Sequence, residues 1–245
     1  RFFGDWAEGP VVAEGDAPPG DSLRERGLPA GAFFVTDRRA ILERPAEQVH
    51  VCAGGLGFPL AHDRYYDMQV LNEALGGGSS SRLFQRVREE LGLCYSIYSY
   101  PSSYTDSGLF TIYCGLSPGA VEKALTAIRD EMERARTSRF SRDEIDKAKA
   151  QLVAGLVMAL ESTSSRASRL GKLQLLLGRV PSVEEVVAKI EATSEETVAD
   201  AARLILDWEQ FYLAVVGSPK ALRFFRKEAA AGIGVRKGRK PRCRR

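Results

Sequence analysis

The spacing of apolar residues divides the chain into segments with two different periods. Short runs in which apolar and polar residues alternate, such as AFFVTDR, AILER and EQVHVCAGGLGF, lie between residues 32 and 58 and predict two or three strands. After Pro59, apolar residues recur every three or four positions. This change predicts a helix that Asp63 caps and that ends at the glycines Gly76 to Gly78.

A second helix is predicted from about Ser81, with Arg82 on its polar side. Its apolar side consists of Leu83, Phe84, Val87 and Leu91. Two extended runs follow, CYSIYSYPSSY and GLFTIYCG, on either side of the turn signal Thr105 to Gly108. We therefore expect an antiparallel hairpin directly after the second helix.

The rest of the chain is mainly helical. A long helix is predicted from Ser117-Pro118 to Arg136, and FYLAVVG near the end predicts a strand. Three more helix starts carry the Ser/Thr-x-x-Glu capping pattern, namely Ser141 with Glu144, Ser182 with Glu185 and Thr193 with Glu196. This order lacks the regular alternation of a doubly wound sheet, and it predicts an α+β fold with an antiparallel or mixed sheet and helices packed on one face.

Composition adds a domain division to this picture. The chain has 245 residues, of which 44% are hydrophobic and 27% charged, as is usual for globular proteins. Residues 1–31 join a short apolar piece, RFFGDW, to a run rich in Pro, Gly and acidic residues, which indicates the end of a preceding domain and a linker. We predict a folded domain over residues 32–220 and a basic tail over residues 221–245.

The charge is concentrated at the end of the chain. The net charge is +3, but the last ten residues, RKGRKPRCRR, contain seven Lys and Arg and no acidic residue. Such a tail could contact nucleic acid or an anionic lipid surface by charge alone, but a solvated terminus is the more common case. No aromatic residue interrupts it, which argues against a stacking surface for single strands, and we expect no nucleic-acid partner. The longest apolar stretch, Leu152 to Leu160, is far shorter than the ~20 residues of a membrane span, which predicts a soluble protein. The compartment stays open between bacterial cytoplasm, periplasm and an organelle matrix.

Motifs for phosphate binding, zinc binding and paired cysteines are absent from the sequence. The loop GGGSSSRLF follows a predicted helix and has no Lys after its glycines, so it is better interpreted as a helix-to-helix connection than as a phosphate-binding loop. Neither His50 nor His62 belongs to an HExxH or HxxEH motif, so we expect no zinc ligand among them. The four cysteines form no CxxC pair and are expected to be reduced, mostly buried thiols.

Two polar residues remain as candidates. Arg88 lies on the second helix and Tyr95 at the start of the next strand, with a turn at Gly92 between them, so their side chains could converge. An Arg fork and a Tyr hydroxyl are donors suited to a peptide carbonyl or a developing oxyanion. The alternative is that Arg88 pairs with a surface acid and Tyr95 is a half-buried strand aromatic. Residue chemistry alone favours that alternative.

The stretch LNEALGGGSSSRLFQRVREELGLCYSIYSY, continued by SSYTDSGLFTIYCG, closely resembles the second half of the pitrilysin-type zinc peptidases, which include mitochondrial processing peptidase. The shared features are Leu-Asn, the glycine run, Ser-Arg-Leu-Phe, Arg-Glu, Gly-Leu-x-Tyr and Asp-x-Gly-Leu-Phe, in that order. A weaker likeness extends from about Ala32 to Gly217, and RFFGDW resembles the end of the family's preceding half.

The resemblance implies a two-part enzyme of which this chain is the non-zinc half. In the family, two α+β halves enclose a chamber for unfolded peptides, and the first half holds zinc through His-x-x-Glu-His. This chain lacks that motif, so the resemblance implies no metal, no cofactor and no catalytic residue here, with zinc expected in the partner half. In the family, an Arg and a Tyr of the second half hold the scissile peptide, and their motif matches Arg88 and Tyr95. The resemblance therefore favours a substrate-binding role for these two residues over a surface ion pair and a half-buried aromatic.

The function expected from the resemblance is therefore substrate binding and chamber formation in a zinc endopeptidase, without activity in the isolated chain. The expected partners are a zinc-bearing half, in the same precursor or as a separate subunit, and a peptide, with a homo-oligomer also possible. The alternative is a non-catalytic scaffold subunit, since related halves also serve as structural subunits.

Overall fold

The computed structural model describes residues 33–36, 38–223 and 225, and the predictions for residues 1–31 and for most of the basic tail lie outside them. The strands are β1 (Phe33–Thr36), β2 (Arg39–Glu43), β3 (Val49–Leu56), β4 (Cys94–Ser103), β5 (Gly108–Leu116) and β6 (Tyr212–Gly217). The α-helices are α1 (Tyr65–Asn72), α2 (Val121–Thr137), α3 (Arg142–Ala159), α4 (Thr163–Leu177), α5 (Val183–Glu191) and α6 (Glu195–Ile205).

Three shorter helical segments complete the described chain. Glu73–Gly77, which we call the π-turn, continues α1 with wider turns, and Phe84–Glu90, which we call the π-helix, leads toward β4. A 3-10 turn at Trp208–Gln210 precedes β6. The division into strands, helices, hairpin, helices and a last strand is the one that the apolar periods predict.

The six strands form one mixed sheet in the order β1-β2-β6-β3-β5-β4. Only β2 and β6 run parallel, while the other neighbours are antiparallel. Thus β6, the last of the described strands in sequence, lies in the middle of the sheet between β2 and β3. The strand β4 lies at an edge. The predicted α+β class with a mixed sheet is confirmed.

The core lies on one face of this sheet. Alternate residues of β3, β5 and β6 are buried, as the two-residue period of a strand requires, and they pack with the apolar sides of the helices. The predicted stripe of α2 is part of this core, with Val121, Leu125, Ile128 and Met132 all buried. On the opposite face of the sheet, the alternate side chains are half-buried or exposed.

The predicted helix starts are only partly right. Ser141 forms the capping box with Glu144, and the Ser182 side chain accepts a hydrogen bond from the backbone of Glu185. The start predicted at Thr193 is wrong by one residue, since Ser194 caps α6 and shares its box with Thr197. The Thr193 hydroxyl instead donates to the Ile190 carbonyl at 2.8 Å, inside the preceding turn. Two neighbouring hydroxyl residues made this position ambiguous in the sequence.

The start of α1 also differs from the prediction. Asp63 does not cap it, because the helix begins at Tyr65 after the N-cap residue Arg64, whose side chain makes no capping hydrogen bond. The acid that matters for this helix is Asp67, which is buried and accepts a hydrogen bond from the Thr197 hydroxyl at 2.7 Å. This bond ties the start of α1 to the start of α6. Burial raises the pKa of Asp67, and the Thr197 bond opposes that rise.

No helix among the described residues is long and apolar enough to cross a membrane. The apolar stretch that ends at Leu160 belongs to α3, where several of its side chains are exposed.

Candidate functional site

The two candidate residues come from neighbouring elements that meet at one edge of the sheet. Arg88 lies on the π-helix, and Tyr95 lies at the start of β4. Between them, the backbone amide of Gly92 donates to the Arg88 carbonyl at 3.2 Å and closes the helix. Gly92 has a φ of 60°, a left-handed conformation that glycine adopts without a steric penalty. The turn that the sequence placed at Gly92 is therefore present.

Tyr95 occupies a break in the ladder between β4 and β5. Cys94 pairs with Leu116 and Ser96 pairs with Gly115, so Tyr95 is the extra residue of a β-bulge. A bulge turns one side chain out of the regular alternation of the strand. Consistent with this, 75% of the Tyr95 surface is exposed.

The side chains of Arg88 and Tyr95 converge. The guanidinium carbon of Arg88 lies 5.4 Å from the centre of the Tyr95 ring and 4.7 Å from the centre of the Phe84 ring. Both distances are within the range of cation–π attraction, so the guanidinium contacts both rings. The predicted convergence is therefore present. The alternative is wrong for Tyr95, which is exposed and not half-buried, but right that Arg88 has a surface acid, Glu89, as an ion-pair partner.

The Arg88 fork keeps its hydrogen-bonding capacity. Its nearest acid is Glu89, with 3.8 Å between Arg88 Nε and Glu89 Oε1, which is too long for a hydrogen bond. Within the described part of the chain, Arg88 donates no side-chain hydrogen bond and Tyr95 has no hydroxyl partner. The pair therefore presents a planar set of N–H donors and a phenol hydroxyl at one place on the surface.

The π-helix is anchored by Arg82, two residues before its first residue. The Arg82 guanidinium donates to both carboxylate oxygens of Glu144, at 2.6 and 2.9 Å, and its carbon lies 3.9 Å from the centre of the Phe140 ring. Burial alone would raise the pKa of Glu144, but the bonds from Arg82 and Ser141 outweigh it and hold the pKa at about 2. The Glu144 carboxylate thus caps α3 and also binds Arg82, which holds the segment just before the π-helix in place.

This anchor was missed in the sequence, where Arg82 belongs to the polar side of the helix. The capping box at Ser141 gave a signal for one role of Glu144, but its second partner is 62 residues away in sequence. A long-range ion pair leaves no local pattern, whereas helix caps do.

The glycine and serine loop connects the π-turn to the π-helix, as predicted. Gly76 lies against β4, where an added Cβ would come within 2.7 Å of the Ser99 backbone nitrogen. The Ser81 hydroxyl donates to the Gly78 carbonyl at 2.6 Å, and the side-chain amide of Gln85 donates through Nε2 to the Ser79 carbonyl at 2.7 Å. Backbone carbonyls of the loop thus accept the hydrogen bonds that hold it in place.

Both histidines are hydrogen-bonded through Nδ1 to other groups of the chain. His50 is a half-buried residue of β3 whose Nδ1 lies 2.8 Å from the Tyr113 hydroxyl, in line with the expected hydrogen-bonded strand histidine. His62 Nδ1 accepts from the Arg64 amide at 3.0 Å, and its ring stacks on Phe58. Over residues 33–36, 38–223 and 225, no group of three or more His, Cys, Asp or Glu side chains is placed to hold a metal ion.

The described cysteines are free thiols in strands. Cys114 is buried, while Cys52 and Cys94 are half-buried, and burial raises the pKa of all three. Arg88 opposes that rise at Cys94, so its positive field reaches the first residue of β4. Cys243 lies outside the described residues.

Comparison with known proteins extends this picture. The family described as Peptidase M16 inactive domain matches residues 1–152. The chain is 40% identical over 174 residues to the uncharacterised zinc protease YmxG of Bacillus subtilis, covering 71% of this chain and 42% of that protein. It is also 40% identical over 183 residues to an uncharacterised zinc protease of Streptomyces coelicolor, covering 75% of this chain and 40% of that one.

Solved structures share the fold at lower identity. A peptidase M16 inactive domain from Pseudomonas fluorescens superimposes with a TM-score of 0.66 at 24% identity, covering 74% of this chain and 43% of that chain. A chain of complex III2 from Candida albicans gives a TM-score of 0.68 at 20% identity, covering 76% and 46%. The chain therefore covers less than half the length of the relatives described here.

Proposed function

Because the chain belongs to the family of peptidase M16 inactive domains, we propose that it is the substrate-binding, chamber-forming half of a zinc endopeptidase that acts on unfolded peptides. The metal and the activated water belong to a separate half with an HxxEH motif, which this sequence does not contain. The isolated chain would then have no peptidase activity.

One observation carries this proposal: the guanidinium of Arg88 and the ring of Tyr95 lie 5.4 Å apart, with their donors unused by the described residues. In such an enzyme the zinc-bearing half would activate the water, and the carbonyl oxygen of the scissile peptide would gain negative charge in the transition state. Donors that point at this oxygen stabilise the transition state more than the substrate. In this proposal Arg88 and Tyr95 supply these donors from across the chamber.

The test is a reconstitution. The chain is mixed or co-expressed with a zinc-bearing half, and cleavage of an unstructured peptide is followed. We expect the mixture to cleave the peptide, and we expect neither cleavage nor stoichiometric zinc in the isolated chain. Cleavage or zinc in the isolated chain would contradict the division of roles. A mixture that assembles but never cleaves a peptide would favour the alternative, a scaffold subunit.

The donor role predicts a specific kinetic change in the assembled enzyme. Arg88→Ala or Tyr95→Phe should lower kcat by ~10 to 1000-fold, because one oxyanion donor is lost while the substrate keeps its other contacts. Arg86→Ala is a matched control, since Arg86 lies on the same helix and pairs with Glu90 at 2.6 Å on the exposed surface. Unchanged kcat in the Arg88 and Tyr95 variants would reject their assignment.

A further inference from the structure

A cluster of tyrosines lies on β4 and β5, beyond the Arg88–Tyr95 pair. Tyr98 pairs with Tyr113 across the two strands, and the centres of their rings are 4.9 Å apart. Tyr100 follows on the same side of β4, with its ring centre 5.9 Å from that of Tyr98. Tyr98 is 44% exposed and Tyr100 is 39% exposed, so both rings keep a surface open to solvent.

The cluster lies on the face of the sheet opposite the core. Along β4, Ile97 and Ser99 are buried on the core side, so Tyr98 and Tyr100 point to the other face. The row that contains Tyr98 continues across the sheet through Tyr113, Cys52, Ala214 and Ala40. The aromatic rings therefore stand beside small side chains, which leaves room next to them.

No formal charge surrounds the cluster on its own strands. The strands β3, β4 and β5 contain no Asp, Glu, Lys or Arg. Open faces of antiparallel sheets usually carry polar and charged side chains, and uncharged aromatic surfaces of this kind are typical of binding sites. A charged ligand group would find no counter-ion on these strands, whereas an aromatic group would pack on the rings without one.

One ring of the cluster is fixed in place. His50 Nδ1 and the Tyr113 hydroxyl form a hydrogen bond of 2.8 Å, and the Tyr113 hydroxyl also interacts with the Ser96 side chain. Gly115 leaves room beside this hydroxyl, since an added Cβ there would lie 3.1 Å from Ser96 Oγ, a tight contact. A ring held by its hydroxyl loses little further entropy when a ligand packs on it.

We propose that Tyr98, Tyr100 and Tyr113 form a specificity-determining surface for an aromatic side chain of the bound peptide. This inference rests on the proposed function. The rings lie three and five residues along β4 from Tyr95, or about 10 and 17 Å at the rise of a strand. An extended peptide has the same rise, so the selected side chain lies about three to five residues from the scissile bond.

The experiment uses the assembled enzyme and soluble peptides of Ser, Ala and Gly that contain a single Phe. The Phe is moved one position at a time on both sides of the cleaved bond. We expect KM to fall about 5 to 30-fold, relative to the peptide with Ala, when Phe is about three to five residues from that bond, with little change in kcat.

The variants separate this surface from the rest of the sheet face. In Tyr98→Ser/Tyr100→Ser, the KM advantage of the distal Phe should disappear, so that the peptides with Phe and with Ala at that position have the same KM. Tyr212→Ser is the matched control, because Tyr212 is 62% exposed on β6, on the same face but about 14 Å from β4. This control variant should keep the lower KM for peptides with a distal Phe.

Three results would overturn the inference. In the unmodified enzyme, a distal Phe could fail to lower KM, or a distal Arg or Glu could lower KM more than Phe does. The third result is an equal loss of the KM advantage in Tyr212→Ser and in the double variant. The last result, together with weaker binding of the zinc half, would mean that another part of the enzyme covers the face. An assembled enzyme that cleaves no peptide at all would refute the proposed function instead, so the two failures are distinguishable.

Discussion

The pair of Arg82 and Glu144 shows how one residue contact positions the candidate site. The Arg82 fork is bidentate, and only 11% of its side chain and 31% of that of Glu144 are exposed. Charge-assisted bonds of this geometry are among the stronger ones in proteins. Because Arg82 lies just before the π-helix, the bond fixes where that helix begins and hence where Arg88 points.

We expect Glu144→Gln to lower the free energy of unfolding of the purified chain by about 1 to 3 kcal/mol at neutral pH, because the guanidinium loses its charged acceptor. Urea unfolding of variant and wild type gives this difference. Asp143→Asn is the control, since Asp143 pairs with Lys147 on the exposed surface of the same helical turn and should matter by less than about 0.5 kcal/mol.

The same pair predicts the sign of a pH dependence. The pKa of Glu144 is lowered from 4.5 to about 2, so its contribution is present above 4.5 and is lost as the pH falls toward 2. The stability difference between wild type and Glu144→Gln should therefore shrink as the pH falls through this window. A difference that stays constant down to the lowest pH would show that the carboxylate charge is not what matters.

At the scale of elements, the packing of the π-turn against β4 depends on one glycine. At Gly76 an added Cβ would come within 2.7 Å of the Ser99 backbone nitrogen, and backbone atoms of a sheet cannot easily move. Ser99 itself is buried, and its hydroxyl donates to Asn72 Oδ1 at 2.8 Å. This contact holds β4 against the end of α1.

We expect Gly76→Ala to destabilise the chain by about 1 to 3 kcal/mol, the usual cost of overpacking. Gly78→Ala is the matched control, since a Cβ there would meet only ordinary contacts at 3.6 Å or more. Thermal or urea unfolding measures both. Equal stabilities of the two variants would mean that the π-turn can shift away from β4 at little cost.

Elements differ in how far their sequence determines them. The stripe of α2 and the hairpin turn before Gly108 follow from local periodicity and turn residues, and both were predicted. The π-type turns of Glu73–Gly77 and Phe84–Glu90 were not, because an added residue per turn depends on packing and leaves the apolar pattern almost unchanged. The bulge at Tyr95 is similar, since it depends on the register with β5.

At the scale of the whole molecule, burial is uneven between the sheet-packed helices and α4. The helix α2 buries eight side chains, whereas none of the 15 residues of α4 is buried. Its apolar residues include Leu175, which is 85% exposed. A helix of this length is only marginally stable in water without packing.

Hydrogen exchange should therefore separate these two helices in the isolated chain. We expect amides of α4 to exchange through local opening, and at least ~100-fold faster than those of α2, because opening α4 exposes little apolar surface while opening α2 disrupts the core. Peptides from Thr163–Leu177 and Val121–Thr137 can be followed by mass spectrometry in one experiment, so that α2 is the internal control. Equal protection would mean that α4 opens only with the core, and its stability would then have a source other than side-chain burial.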